Sequence, residues 1–410
     1  MNKNKIINDP VYGFIPIKSE LIFDLLEHPF LQRMRHIRQL GLAELVYPGA
    51  IHTRFHHALG AMHLMHQALE ILRTKEIEVS DEEMEAAQVA ILLHDIGHGP
   101  FSHALEETLL PHIRHESLSF LLMKELNRQF KGKLDTAIRI FQNTYSKKFL
   151  HQLVSSQLDV DRLDYLNRDS FFTGVVEGSI GTDRIIAMLN VVKGQLVVEE
   201  KGIYNIESFL NSRRLMYWQV YLHKTAVSAE RLLVNCIRRA QYLAASGERI
   251  PSSESLSMFL HRSYTLDDFS EKKDLLHAFG KLDDFDVWGS IKLWQSNSDP
   301  ILARLCAMLL NRNLFQIRLS TAPIQKSDVE KVRHAIHKEW KMAKSDIVYL
   351  FSHGTVSNEA YLLERNSIQV LMKTGELLDV SQASDLPHIK AMSKIVKKNY
   401  LCWPKNLSLH

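Results

Sequence analysis

The stretch ILLHDIGHGPFSH (91–103) constrains this chain more than any other. An apolar run ends in an adjacent imidazole and carboxylate, His94-Asp95, and then breaks on Gly97 before His98. Burying that pair without partners costs on the order of several kcal/mol. A bound metal removes the cost, because neutral imidazole and ionised carboxylate are both good ligands. Adjacent helical residues point about 100° apart, so one ion is gripped by both only at a helix end. Gly97 and Gly99-Pro100 supply that end. The preceding helix is well specified, with a capping box at Ser80 and Glu83 and with Asp81, Glu82 and Glu83 in its first turn. From 86 to 93 only Gln88 is polar, so the C-terminal half is buried on most sides. An isolated His-Asp pair is more often a helix end with satisfied core polar groups; the surroundings decide.

Ten of the 21 histidines fall between His52 and His115. Upstream, HTRFHHALGAMHLMH (52–66) has helical spacing, and Arg54 and His57, three apart, share a face. Downstream, LDVDRLDYLNRD (158–169) is also helical, with Asp161, Tyr165 and Asp169 at i, i+4 and i+8. A third helix can therefore add a carboxylate across a bundle. The set becomes His57, His94, Asp95 and Asp161: two nitrogens, at least two oxygens and room for water. One divalent ion per site follows, with Mn, Fe, Zn, Ni and Mg all compatible.

In this arrangement the chain resembles the HD-domain metal-dependent phosphohydrolases, and within them the deoxynucleoside triphosphate triphosphohydrolases of the SAM-and-HD-domain and dGTPase type. The stretches that carry the resemblance are QRMRHIRQLGLAELVYPGAIHTRFHHALG (32–60), LLHDIGHGPFSHALE (92–106), RHES (114–117), DVDRLDYLNRD (159–169) and RRLMYWQVYLHK (213–224). They span roughly residues 5–235. The resemblance implies a mainly α fold, an HD-domain helical bundle, and a substrate of the dNTP class.

It also implies roles. His57, His94, Asp95 and Asp161 are the metal ligands. His98, His103, Glu106 and His115 form an acid/base neighbourhood at the α-phosphate, where a water activated by the metal attacks. His103 is expected to be the leaving-group acid, oriented by Glu106 and His115. Arg54, Arg162 and Arg213, with help from Lys224, match positions that bind the triphosphate, a task suited to the planar guanidinium. Gln39, Leu40, Tyr165 and Asp169 match sugar contacts, and Tyr221 matches a residue stacked near the base. Leu222 departs from a glutamine that contacts the base edge in relatives, and a leucine cannot make such bonds. His56 stands where many relatives carry glutamate; with His52, His63, His66, His112 and His151 it is assigned a structural or surface role. Gln32 and Arg35 match positions that bind an activating nucleotide, with Lys5 and Asn8 at a neighbouring subunit contact and Glu27 replacing an aspartate.

The formal net charge of +3, without a basic block, argues for neither a nucleic acid nor a membrane partner. No segment approaches 18 uninterrupted apolar residues. Three dispersed cysteines, Cys236, Cys306 and Cys402, suggest a reducing, cytoplasmic setting. Residues 1–245 read as the catalytic core, helical apart from a hairpin at 190–206 that turns on Lys193-Gly194. After a boundary at 245–256, residues 246–410 read as a smaller region, helical and then α+β. Strands are expected at 315–320, 347–351 and, as a hairpin, 368–380, with a helix at 327–344. That region is expected to serve packing and contacts in a homodimer or homotetramer. The leading functional expectation is hydrolysis of a dNTP to deoxynucleoside and triphosphate. Its alternatives are another HD-type phosphohydrolase or nucleotidase releasing orthophosphate, and a nucleotide-sensing protein without turnover.

Overall fold

A computed structural model describes residues 5–357, 367–385 and 396–407. The fold is mainly α, a helical bundle followed by further helices and small sheets. Three helices frame its centre: Arg54–Thr74, Asp81–Leu93 and Val160–Thr173. The first packs on both of the others. Each start is encoded locally. Ser80 and Glu83 form the expected capping box, and Asp159 accepts the Arg162 N–H. At the start of Arg54–Thr74, His56 occupies the box position usually held by Glu or Gln, and its Nδ1 accepts the Thr53 N–H at 3.2 Å. Imidazole replaces a carboxylate there because either offers the one acceptor the cap needs.

Gly60 sets the spacing between the first and third helices. A Cβ there would lie 1.9 Å from Asp164 Oδ1 and 2.1 Å from Arg168, so only glycine admits that buried ion pair. Arg168 in turn reaches Asp9 at 2.8 Å. Asp9 ends the Lys5–Asp9 strand, which pairs with Gly13–Ile17 as an antiparallel ribbon. The ribbon was not foreseen in a segment read as helical; its Pro16, which lacks an N–H, is tolerated on a two-stranded edge.

Leu189–Val192 and Gln195–Glu199 form a hairpin that continues, through parallel pairing, into Gln369–Leu371 and Leu377–Asp379. A second sheet orders Gln316–Ser320, Lys397–Trp403 and Ser352–Ser357. The strand expected at 347–351 is instead the short helix Lys344–Ile347 with a turn, and the strand starts at Ser352. Ile347, Leu350 and Phe351 are all buried. Their i, i+3, i+4 spacing is that of a helical turn, which a short apolar run does not distinguish from a strand. One continuous apolar core runs from Ile15 to Leu407. Among the described residues no helix is long and apolar enough to cross a membrane.

Candidate metal centre and catalytic site

The Asp81–Leu93 helix ends at its cap residue His94, and the chain turns away through Asp95, Ile96 and Gly97. Ser119 fixes this turn: its Oγ donates to His94 O at 2.6 Å and accepts from Gly97 N at 2.9 Å. A Cβ on Gly97 would fall 2.2 Å from His115 O and Ser119 N, so glycine is what lets the His115–Gln129 helix approach.

The four expected ligands meet at this turn. His57 Nε2 lies 3.0 Å and His94 Nε2 3.4 Å from Asp161 Oδ1, and His94 Nε2 lies 3.2 Å from Asp95 Oδ1. Both imidazoles are oriented from behind. His57 Nδ1 is 2.7 Å from Asp164 Oδ2, and His94 Nδ1 is 2.6 Å from Ile91 O. These contacts put the proton on Nδ1 and leave the Nε2 lone pairs facing the carboxylates. Among the described residues each Nε2 is buried with only carboxylate oxygens in reach, so either a proton or a cation must sit between each ring and its carboxylate. Burial works to lower the His57 imidazole, but Asp161 and Asp164 outweigh it and raise it to about 10. His94 is likewise raised, by Asp95 and Asp161 against burial. The cluster is short of positive charge, and its donor set fits a divalent metal.

Around it lies a second constellation. Asp95 Oδ2 is paired with Arg54, whose Nε donates to Ser102 Oγ at 2.8 Å. His98 Nε2 is 3.5 Å from Asp95 Oδ1, and its ring stacks on His115 at 3.8 Å. Burial, reinforced by Arg54, holds the His98 imidazole well below its ordinary value. Glu106 Oε1 accepts the His115 N–H at 2.9 Å and lies 3.2 Å from His115 Nδ1. His103 starts the His103–Leu109 helix; its side chain lies outside the described residues.

The other expected positions have definite surroundings. Arg162 donates to Asp159 at 2.6 Å and Arg213 to Gln157 at 3.1 Å, so both guanidiniums are anchored on one short segment. Lys224 starts the Lys224–Ala245 helix. Gln39 Oε1 is buried without a partner among the described residues, beside Leu40. The Tyr165 ring stands 6.4 Å from His57 and 6.1 Å from Tyr221. Tyr221 closes a π-helical segment, Tyr217–Tyr221, and donates to Asp169 Oδ2 at 2.8 Å, while His52 Nε2 lies 2.7 Å from Asp169 Oδ1. Asp169 is thus engaged on both oxygens. Farther out, Lys5 pairs with Glu27 at 2.8 Å, Arg35 donates to Gln32 at 2.9 Å and lies over the Phe55 ring, and Asn8 sits in strand register opposite Phe14.

Sequence reasoning missed Asp164, Arg168, Ser102, Ser119 and Gln157. Asp164 and Arg168 had a local signal, as an i,i+4 pair on the helix that carries Asp161; Ser102, Ser119 and Gln157 are joined to the centre only by tertiary contacts.

Comparisons with known proteins place the chain among HD-domain proteins. The HD domain profile matches residues 54–169, and the HD associated region matches 180–253. The Bacillus subtilis protein YwfO is 30% identical over 419 residues, which cover 99% of this chain and 94% of that protein. A crystal structure of a phosphohydrolase from Bacteroides thetaiotaomicron is 47% identical with a TM-score of 0.94, covering 98% of this chain and 99% of that one. The bovine deoxynucleoside triphosphate triphosphohydrolase SAMHD1 is 26% identical over 392 residues, 84% of this chain and 63% of its own length.

Proposed function

This chain belongs to the HD-domain family of phosphohydrolases, and from that premise we propose that it is a metal-dependent dNTP triphosphohydrolase, converting a dNTP and water to deoxynucleoside and triphosphate. The observation that carries the reading is that the buried Nε2 atoms of His57 and His94 converge with carboxylate oxygens of Asp161 and Asp95 at 3.0–3.4 Å. A divalent cation held by these four residues would polarise a phosphoryl oxygen and lower the pKa of water.

The chain's own groups supply the rest. Arg54, aligned by Ser102 and paired with Asp95, is poised to exchange its carboxylate for phosphate oxygens. Arg162 and Arg213 add fixed cations for a polyphosphate. His98, held neutral, and His115, oriented by Glu106, can hold or pass a proton at the leaving oxygen, with His103 as the expected acid. Gln39, whose Oε1 has no partner among the described residues, Leu40, Tyr165, Asp169 and Tyr221 form the proposed nucleoside pocket. The bovine relative's name supports the dNTP class. Lys5, Asn8, Gln32 and Arg35 are the proposed activator contacts, and a homodimer or homotetramer in the cytoplasm is part of the same reading. A second reading, a nucleotidase releasing orthophosphate, is favoured by Leu222, whose side chain offers no hydrogen bond to a base.

The test incubates purified protein with Mn²⁺ and the four dNTPs, with and without GTP, and separates products by anion exchange. Tripolyphosphate with deoxynucleoside upholds the proposal, and a GTP requirement upholds the activator site. Orthophosphate selects the second reading, and tight nucleotide binding without turnover rejects both. Light scattering on the same sample reads the assembly state.

A further inference from the structure

Two buried charged side chains, both outside the matched segments 54–169 and 180–253, converge on the loop that carries the His-Asp pair. Arg33 donates to Ile96 O at 2.5 Å and, from the other side of its guanidinium, to Leu282 O at 2.9 Å and Phe279 O at 3.3 Å. Asp284, which opens the Asp284–Trp294 helix and is 3% exposed, uses both carboxylate oxygens. Oδ1 accepts the Phe101 N–H at 2.7 Å, and Oδ2 accepts the Arg38 N–H at 2.8 Å. One carboxylate thus ties the loop at 96–102 to the backbone beside Gln39.

That loop needs holding. Phe101 and Ser102 are consecutive non-glycine residues in the left-handed region, at φ +52° and +48°. Such conformations persist only where the surroundings over-determine them, and they collect at functional sites. Here the determinants are the Asp284 bond and the edge-on contact of the Phe101 ring with Trp288, 5.6 Å between centroids. The strained turn aims Ser102 Oγ at Arg54, which in turn sits on Asp95.

We propose that Asp284 is a positioning residue for the catalytic site: it holds the Phe101–Ser102 turn in place and sets its distance from the Gln39 segment. The helical region after residue 253 then takes part in assembling the site rather than only in packing. This inference rests on reading His57, His94, Asp95 and Asp161 as the reaction centre. Both oxygens face N–H donors, and an amide of the same shape fixes an NH2 donor toward one of them.

Asp284→Asn in the full chain is the test. Displacement of catalytic groups by about 1 Å costs about 10²-fold, so kcat should fall by about that factor, with KM moved far less and Mn²⁺ stoichiometry unchanged. Val287→Ala, in the same helix and buried but without a bond to the loop, should lower thermal stability and leave kcat intact. Amide exchange gives a readout that requires neither substrate nor variant. The wild-type Phe101 and Arg38 amides should be protected like the core of Asp81–Leu93, and in Asp284→Asn those two should exchange faster while that helix does not. A folded Asp284→Asn protein with wild-type kcat overturns the proposal, as does a wild-type Phe101 amide that exchanges like a free loop. If the wild type hydrolyses no phosphate ester, the functional reading fails separately, and exchange at Phe101 alone upholds or overturns the clamp.

Discussion

His57 is suited to its proposed role as a ligand because Asp164 stands behind it. The carboxylate accepts from Nδ1 at 2.7 Å and is itself fixed by Arg168 at 2.9 Å, so the ring cannot rotate its Nε2 away from Asp161. Partners of this kind typically contribute 10–100-fold to metal affinity. Asp164→Asn keeps an acceptor but loses the charge, and Mn²⁺ titration by calorimetry should show an affinity loss of about 10-fold; an unchanged value would remove Asp164 from the centre. His94→Ala or Asp95→Ala should abolish metal binding and turnover together, and activity persisting without metal would sink the hydrolytic reading. Asp284 gives a pH signature of its own. Burial first, and the neighbouring Asp283, push its carboxyl up to about 7, against the pull of two backbone N–H groups and Arg38. The folded protein then keeps a proton that the unfolded chain has released between about pH 4 and 7, so this group's contribution to stability is present at acid pH and is lost as pH rises through that window. Thermal melts of wild type should lose more stability across pH 4–7 than melts of Asp284→Asn; parallel curves would contradict the assignment.

At the scale of elements, the helices that build the site were legible because each carries its own start signal and a 3.6-residue apolar period, as in Ser80/Glu83 followed by the run to Leu93. What was not legible is how closely they approach. Gly60 reads in the sequence as a mild helix defect, yet it is the point where Arg54–Thr74 meets the Asp164–Arg168 pair of Val160–Thr173. Gly60→Ala should raise intrinsic helix propensity by about 1 kcal/mol and still destabilise, because overpacking a buried contact costs about 1–3 kcal/mol and here the neighbour is a buried ion pair. A lower Tm together with weakened Mn²⁺ binding is the expected result; a higher Tm would mean that the two helices separate freely. The misread strand at 347–351 and the unforeseen N-terminal ribbon are the opposite case, short segments whose conformation is set by what they pack on rather than by their own pattern.

For the molecule as a whole, the sequence exposed the proposed ligands and hid the residues that pack behind them. His57, His94, Asp95 and Asp161 were readable because their residue types have few other reasons to cluster. Asp284 was not, because it bonds a loop 183 residues away and no local period marks it. The metal itself is the remaining global variable. Arg54 compensates one side of Asp95, but two imidazoles and two carboxylates still converge at one point, so metal should bind the folded chain far better than the unfolded one. Mass action then adds RT ln(1 + [L]/Kd), about 2.7 kcal/mol at a hundredfold excess over Kd. In a chain of this size each kcal/mol moves Tm by about 2 °C or less, so saturating Mn²⁺ should raise Tm by roughly 3–5 °C. The shift should grow with the logarithm of free metal, reverse with a chelator, and vanish in His94→Ala. A Tm indifferent to metal and chelator alike would mean that protons on His57 and His94 already satisfy the carboxylates, and that the centre is an internal ion-pair cluster rather than a metal site.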